Sequence, residues 1–349
     1  WGNVGVSLLF WQFANQITKN SEAKRFYGLF GAVGNFALIA SSFVVDSVLD
    51  AGGNESAKSC GASHDAFSGG LSSLMLLFVV GGIIIAVLHA YVHTSSQEDD
   101  ATDTSTTSGE KKKSKPKLSL KESFKYLMSS RYLMYIAILV LCYNMSINLV
   151  EVTWKGQVRA AYPNPADYTK FATKISLWAG VLTILFTYGA KNFIRKLGWL
   201  KTASITPFIM LVTGPLFFFC LLFPEKFSFL AGYLNFSVLA FSVFIGAFQN
   251  MATKACKYAF FDPTKELAFK KGDVEIQVKG KAAVDIAGGR MGKSAGGQFQ
   301  QILLISMALQ GATQLTIAPY LSIVVMMLCV CWIWAVFKLD KEMKKLDQA

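Results

Sequence analysis

Long apolar runs separated by short polar ones set the pattern of this chain. Nine of them approach the roughly 20 residues a helix needs to cross a bilayer: 3–19, 26–50, 69–93, 131–152, 171–194, 201–223, 229–253, 284–310 and 314–337. Between the third and fourth the pattern fails. "SSQEDDATDTSTTSGEKKKSKPKLSLKESFK" is rich in Ser and Thr, densely charged and short of apolar positions, so it reads as a disordered linker. The predicted organisation is three spans in residues 1–94, a linker at 95–118, six spans in 119–340, and a tail at 341–349.

Composition agrees with a membrane solvent: 53% of residues are hydrophobic, 16% are charged, and mean hydropathy is +0.40. The fold class expected is an all-α polytopic membrane protein. Net charge is +12, from 34 Lys and Arg against 22 Asp and Glu. Sorted by loop, twenty-six of the basic residues fall on one side of the predicted spans and six on the other. That asymmetry records orientation, placing linker and tail in the cytoplasm or an equivalent interior, and it accounts for the positive charge without nucleic acid as a partner. The same orientation puts Trp1 on the far side. Three further spans before it would restore two six-helix bundles of the major-facilitator type, so the expectation is such a bundle pair lacking its first three spans. Six cysteines and three histidines show no ligand spacing, so neither a metal, a cofactor nor a nucleophilic triad is expected.

One segment invites a different reading. "AGGRMGKSAGG" (287–297) is close to a phosphate loop, with Ala287 where the first glycine is usual. A phosphate loop follows a strand in a soluble α/β domain, a context that this pattern of apolar runs does not supply. Gly288, Gly292 and Gly296 recur at i, i+4, i+8, a stripe suited to close helix packing. Arg290 and Lys293 are not explained by packing. A cation inside a span either snorkels to the surface or faces a wet cavity or an anion, and both readings stand.

Polar residues in other spans follow helical faces. Asn144, Asn148, Glu151 and Lys155 share one face of the fourth span, where Glu151 and Lys155 form either a structural i, i+4 pair or part of a substrate site. In the seventh, Gln249, Asn250, Thr253 and Lys257 line another face, with Lys254 and Lys257 read as helix-end lysines that snorkel. Gln12, Asn15, Gln16 and Asn35 are explained by hydrogen bonds between spans.

Four strings, "LLFWQFANQITKNSEAKRFYGLFG" (8–31), "NLVEVTWKGQVRAAYPNP" (148–165), "KYAFFDPTKELAF" (257–269) and "VKGKAAVDIAGGRMGKSAGG" (278–297), together resemble the ATP/ADP translocases of obligate intracellular bacteria and plastids. The resemblance implies a twelve-span, major-facilitator-like exchanger of adenine nucleotides that works by alternating access without hydrolysis and is therefore no enzyme. It also implies that Glu151 and Lys293 match transport residues of the family, although the chain reads GKSAGG, with Ala295 added, where the family has GKSGG. An early-span lysine and a glutamate just before "WG" in the family have no counterpart here. On this reading ATP and ADP are the ligands, Lys293, Arg290, Lys257 and Lys155 are candidate phosphate donors, and Glu151, Asn148 and Asn250 complete the site. A monomer in the bacterial inner membrane is expected, with the plastid inner envelope as alternative. Proton-coupled nucleotide symport, with Glu151 carrying the proton, is the alternative mode. A membrane ATPase built on the Walker-like segment is the competing class. The expected cavity lies between two bundles and holds both Lys293 and Glu151.

Overall fold

The computed structural model describes residues 33–50 apart from 35 and 38, 63–102, and 130–346 apart from 236, 273–275, 277–279, 285–287, 290 and 308–312. The chain divides into two compact units, Trp1–Lys113 and Ser114–Ala349. Among the described residues all regular structure is helical.

In the first unit the described part of 33–50 is helical, and α1 covers Ser63–Thr102. Gly70 of α1 lies against Leu49, where a Cβ would come within 3.2 Å of the leucine side chain. The helix outruns its apolar stretch and enters the segment read as linker; residues 103–129 lie outside the described residues, as does the first predicted span.

The second unit contains α2 (Arg131–Ala161), α3 (Pro165–Leu222), α4 (Pro224–Tyr233), α5 (Val238–Cys256), a π-helical turn (Lys257–Phe261), α6 (Asp262–Lys271), α7 (Lys281–Val284), α8 (Met291–Ser306) and α9 (Gln314–Leu346). α3 carries two spans, Pro165–Ala190 and Arg195–Leu222, and is kinked at Gly198, near the start of the second. Gly198 has φ 78° and ψ 173°, a conformation essentially reserved for glycine. Asn164 caps the start, its side chain accepting from the Ala166 amide, with Pro165 filling the first helical position.

The expected nine spans become five helices long and apolar enough to cross a membrane among the described residues, or six if one bent pair counts as a span. One predicted span differs among the described residues. The one at 229–253 breaks between Tyr233 and Val238, with a bend of 90° between α4 and the helix that follows. Asn235 takes φ 56° there, and the Ser237 hydroxyl accepts from Ala240 N to cap α5, so polar residues inside an apolar run stop one helix and start the next. Within 284–310 every described stretch up to Ser306 is helical, namely the end of α7, residues 288–289 and α8, while 285–287, 290 and 308–310 lie outside the described residues.

The core lies among α2, α3, α5 and α9, where Leu149, Val150, Phe217, Val325 and Trp332 are fully buried. Trp154 fastens α2 to α5. Its indole N–H donates to Val243 O at 3.0 Å, and its ring occupies the space beside Gly246 that any Cβ would enter. The π-turn precedes Pro263, which has no N–H to continue the helical ladder. Asp262 N instead donates back five residues to Lys257 O, and the Thr264 hydroxyl donates to Phe260 O and Phe261 O. Neighbours hold this region: Trp199 Nε1 donates to Thr264 O at 2.8 Å and Tyr132 Oη to Ala268 O at 2.6 Å.

Candidate functional site

The glycine stripe lies along α2. A Cβ at Gly288 would meet Val140 at 3.1 Å, one at Gly292 would meet Asn144 Cβ at 3.0 Å and Leu141 O at 3.1 Å, and one at Gly296 would meet Asn148 Oδ1 at 3.0 Å. Both series advance by four, so the helices run parallel with backbones in close approach. Gln300, a further turn along, donates to Leu149 O at 3.1 Å. Lys281–Val284, ahead of the stripe, are helical rather than a strand, so the Gly-Lys segment lacks the strand-loop-helix geometry of a phosphate loop.

This seam carries Lys293 to the edge of a cavity of about 180 Å³, lined by Tyr143, Asn144, Ile147, Asn148, Glu151, Lys254, Lys257, Tyr258 and Lys293. Every lining residue belongs to Ser114–Ala349. α2 supplies Asn144, Asn148 and Glu151 from its polar face; α5 and the π-turn supply the lysines opposite.

Ion pairs organise the charge. Glu151 Oε1 accepts from Lys155 Nζ at 3.0 Å on the same helix and from Lys254 Nζ at 3.5 Å across from α5. Lys257 Nζ pairs with Asp262 Oδ2 at 3.0 Å and sits 4.0 Å from the Tyr258 ring centroid. The five-residue separation of Lys257 and Asp262 meets on one face because the π-turn is wider than an α-turn. Lys293 has no carboxylate partner among the described residues.

Of the residues selected from the sequence, Glu151, Asn148, Lys257 and Lys293 meet at the cavity. Lys155 is half-exposed and reaches it only through Glu151. Asn250 does not line it; its Nδ2 donates to Gly246 O, and its buried Oδ1 has no hydrogen-bond partner. Arg290 lies outside the described residues. Lys254 and Lys257, read from the sequence as snorkelling, both line the cavity and both make ion pairs, because the helix continues through the π-turn instead of ending beside them. Lys254 had a visible signal, since Asn250, Lys254 and Lys257 recur at i, i+4, i+7. Among the described residues no group of three or more His, Cys, Asp or Glu is arranged to hold a metal ion.

Five helices long and apolar enough to cross a bilayer, one unit of them enclosing a cavity lined by three lysines, describe an integral membrane protein. The chain belongs to the TLC ATP/ADP transporter family, whose sequence profile matches residues 1–343. It is 41% identical over 350 residues to "ADP,ATP carrier protein 1" of Chlamydia trachomatis, covering 98% of this chain and 63% of that protein. The protein of the same name from Rickettsia bellii is 37% identical over 348 residues, 99% of this chain and 67% of its own length. "ADP,ATP carrier protein 1, chloroplastic" of Arabidopsis thaliana is 38% identical over 347 residues, 99% of this chain and 53% of its own length. The chain thus spans between about half and two thirds of the length of these relatives. No solved structure matches it.

Proposed function

We propose that the whole transporter exchanges ATP for ADP across its membrane by alternating access, without hydrolysis, and that this cavity receives the polyphosphate end of the nucleotide. The observation that carries the reading is the convergence of Lys254, Lys257 and Lys293 with a single lining carboxylate, Glu151, on one cavity. Cations in low-dielectric surroundings are costly unless an anion meets them. Lys293 is the first phosphate donor on this reading, being without a carboxylate partner among the described residues. A volume of about 180 Å³ is below the usual range of pockets for drug-sized ligands, and suits phosphate groups better than an entire nucleotide. Family membership and the names of the relatives support adenine nucleotides as cargo. The five candidate spans among the described residues, or six with the bent pair, agree with part of a major-facilitator-like pair of bundles. The origins of the relatives favour a bacterial inner membrane over a plastid envelope.

The test is uptake of labelled ATP by the full-length protein in vesicles loaded with ADP or left empty. Exchange predicts uptake into loaded vesicles only. Uptake into empty vesicles driven by a proton gradient would establish symport instead. Lys293→Gln should lower exchange about a hundredfold at equal protein level, with Lys293→Arg intermediate because a planar guanidinium fits poorly beside close-packed glycines. Unchanged uptake in Lys293→Gln removes this lysine from the site.

A further inference from the structure

We propose that Lys254 is a ligand-contacting residue of the cavity, and that Glu151 is the internal anion that holds it until a phosphate takes its place. The proposal rests on the anionic-nucleotide reading above and assigns that site a residue and an order of events. Three observations carry it. Lys254 and Glu151 come from different helices, α5 and α2, and both line the cavity. Both of the ammonium groups that reach Glu151 converge on one carboxylate oxygen, Oε1, so two cations share a single anion and the triad keeps a positive excess. The two bonds are also unequal. Lys155, one turn along the same helix, sits at 3.0 Å, whereas Lys254, reaching across, sits at 3.5 Å and is the partner more easily given up.

The other cavity lysines differ in this respect. Lys257 has its own carboxylate, Asp262, held at 3.0 Å by the π-turn, and lies against Tyr258. Lys293 has no carboxylate partner among the described residues. An arriving phosphate therefore meets Lys293 first and then competes with Glu151 for Lys254, while Lys155 stays with Glu151 and keeps that carboxylate paired. When the phosphate leaves, Glu151 retakes Lys254. The exchange of partners keeps the ammonium group from standing unpaired at either stage, and it sets how tightly the ligand is held: Glu151 weakens binding and quickens release.

The test uses the full-length protein in ADP-loaded vesicles, with KM and turnover for ATP measured in wild type, Glu151→Gln, Lys254→Gln and the double variant, and tripolyphosphate as competitor. Glu151→Gln should lower KM about tenfold and lower turnover as well, because release slows. Lys254→Gln should raise KM by a similar factor. In the Lys254→Gln background, adding Glu151→Gln should change KM by no more than about twofold, since the competition it removes no longer exists. Affinity for tripolyphosphate should follow the same order. Glu151→Asp, which keeps the charge but shortens the reach, should fall between wild type and Glu151→Gln and serves if the glutamine variant does not accumulate. A KM that rises in Glu151→Gln or Glu151→Asp, or an equal factor in both backgrounds, overturns the proposal. A wild-type protein that exchanges no nucleotide removes the functional reading itself, and this assignment with it.

Discussion

α2 and α9 pack against each other, are of similar length, and use their residues in opposite ways. α9 is the more apolar, yet 33% of its apolar stretch is buried against 61% for α2. Along α9 one stripe, Ile317, Leu321, Val325, Cys329, Trp332 and Val336, is wholly buried, while Ile323, Met327, Val330 and Phe337 on other faces are exposed. α2 buries polar groups as well: Asn144, Ser146, Thr153 and Gln157. In water the more apolar helix would go inside. In lipid the surroundings are already apolar, so the helix that must be enclosed is the one carrying polar groups. The first half of α3 shows how a helix escapes this rule. It is the least apolar of the five and only 17% buried, but Thr169, Ser176, Thr183 and Thr187 each donate to a carbonyl four residues back on their own helix.

Substitutions on the two faces test this contrast. Trp332→Ala should have the largest effect, because the ring is fully buried, edge-on to Tyr143 at 5.6 Å and to Phe261 at 5.4 Å; a loss of about 3–5 kcal/mol, read as a lowered melting temperature in detergent, is expected. Val330→Arg comes next. On the surface of a soluble protein it would be nearly silent, but at mid-bilayer it should cost about 2.5–3.5 kcal/mol, seen as a smaller inserted fraction. Normal insertion would mean that this face of α9 does not meet lipid. Trp154→Phe keeps a ring beside Gly246 and removes the donor to Val243 O, so about 1 kcal/mol should be lost in the same melting assay. Ser176→Ala, which removes only a hydroxyl bonded to its own helix, should change stability by less than about 0.5 kcal/mol.

Much of the candidate site was legible along the chain because helical spacing is a local property. Asn144, Asn148 and Glu151 fall on one face of α2 by their numbers alone, and the glycine stripe announced a close approach before its partner was known. Lys254 and Lys257 were read as helix-end lysines. The helix does not end beside them, because Pro263 is absorbed by a π-turn and the helix continues to Lys271. The break at residues 234–237 was missed because average apolarity says how much lipid a segment tolerates and nothing of where a capping serine ends its ladder.

The sequence by itself determined that this is a helical membrane protein, which stretches are apolar enough to span, and which residues share a helical face. Each follows from the free energy of moving side chains out of water and from a 3.6-residue repeat. Only the tertiary structure decided which faces meet. Gly292 meets Leu141 and Asn144 rather than some other helix, Lys254 crosses to the carboxylate that Lys155 already holds, and Lys257 turns to Asp262. These pairings join residues as far as 151 positions apart, as Gln300 is from Leu149. Local preference carries no information about them, because they are selected by the joint packing of several helices whose polar groups have nowhere else to go.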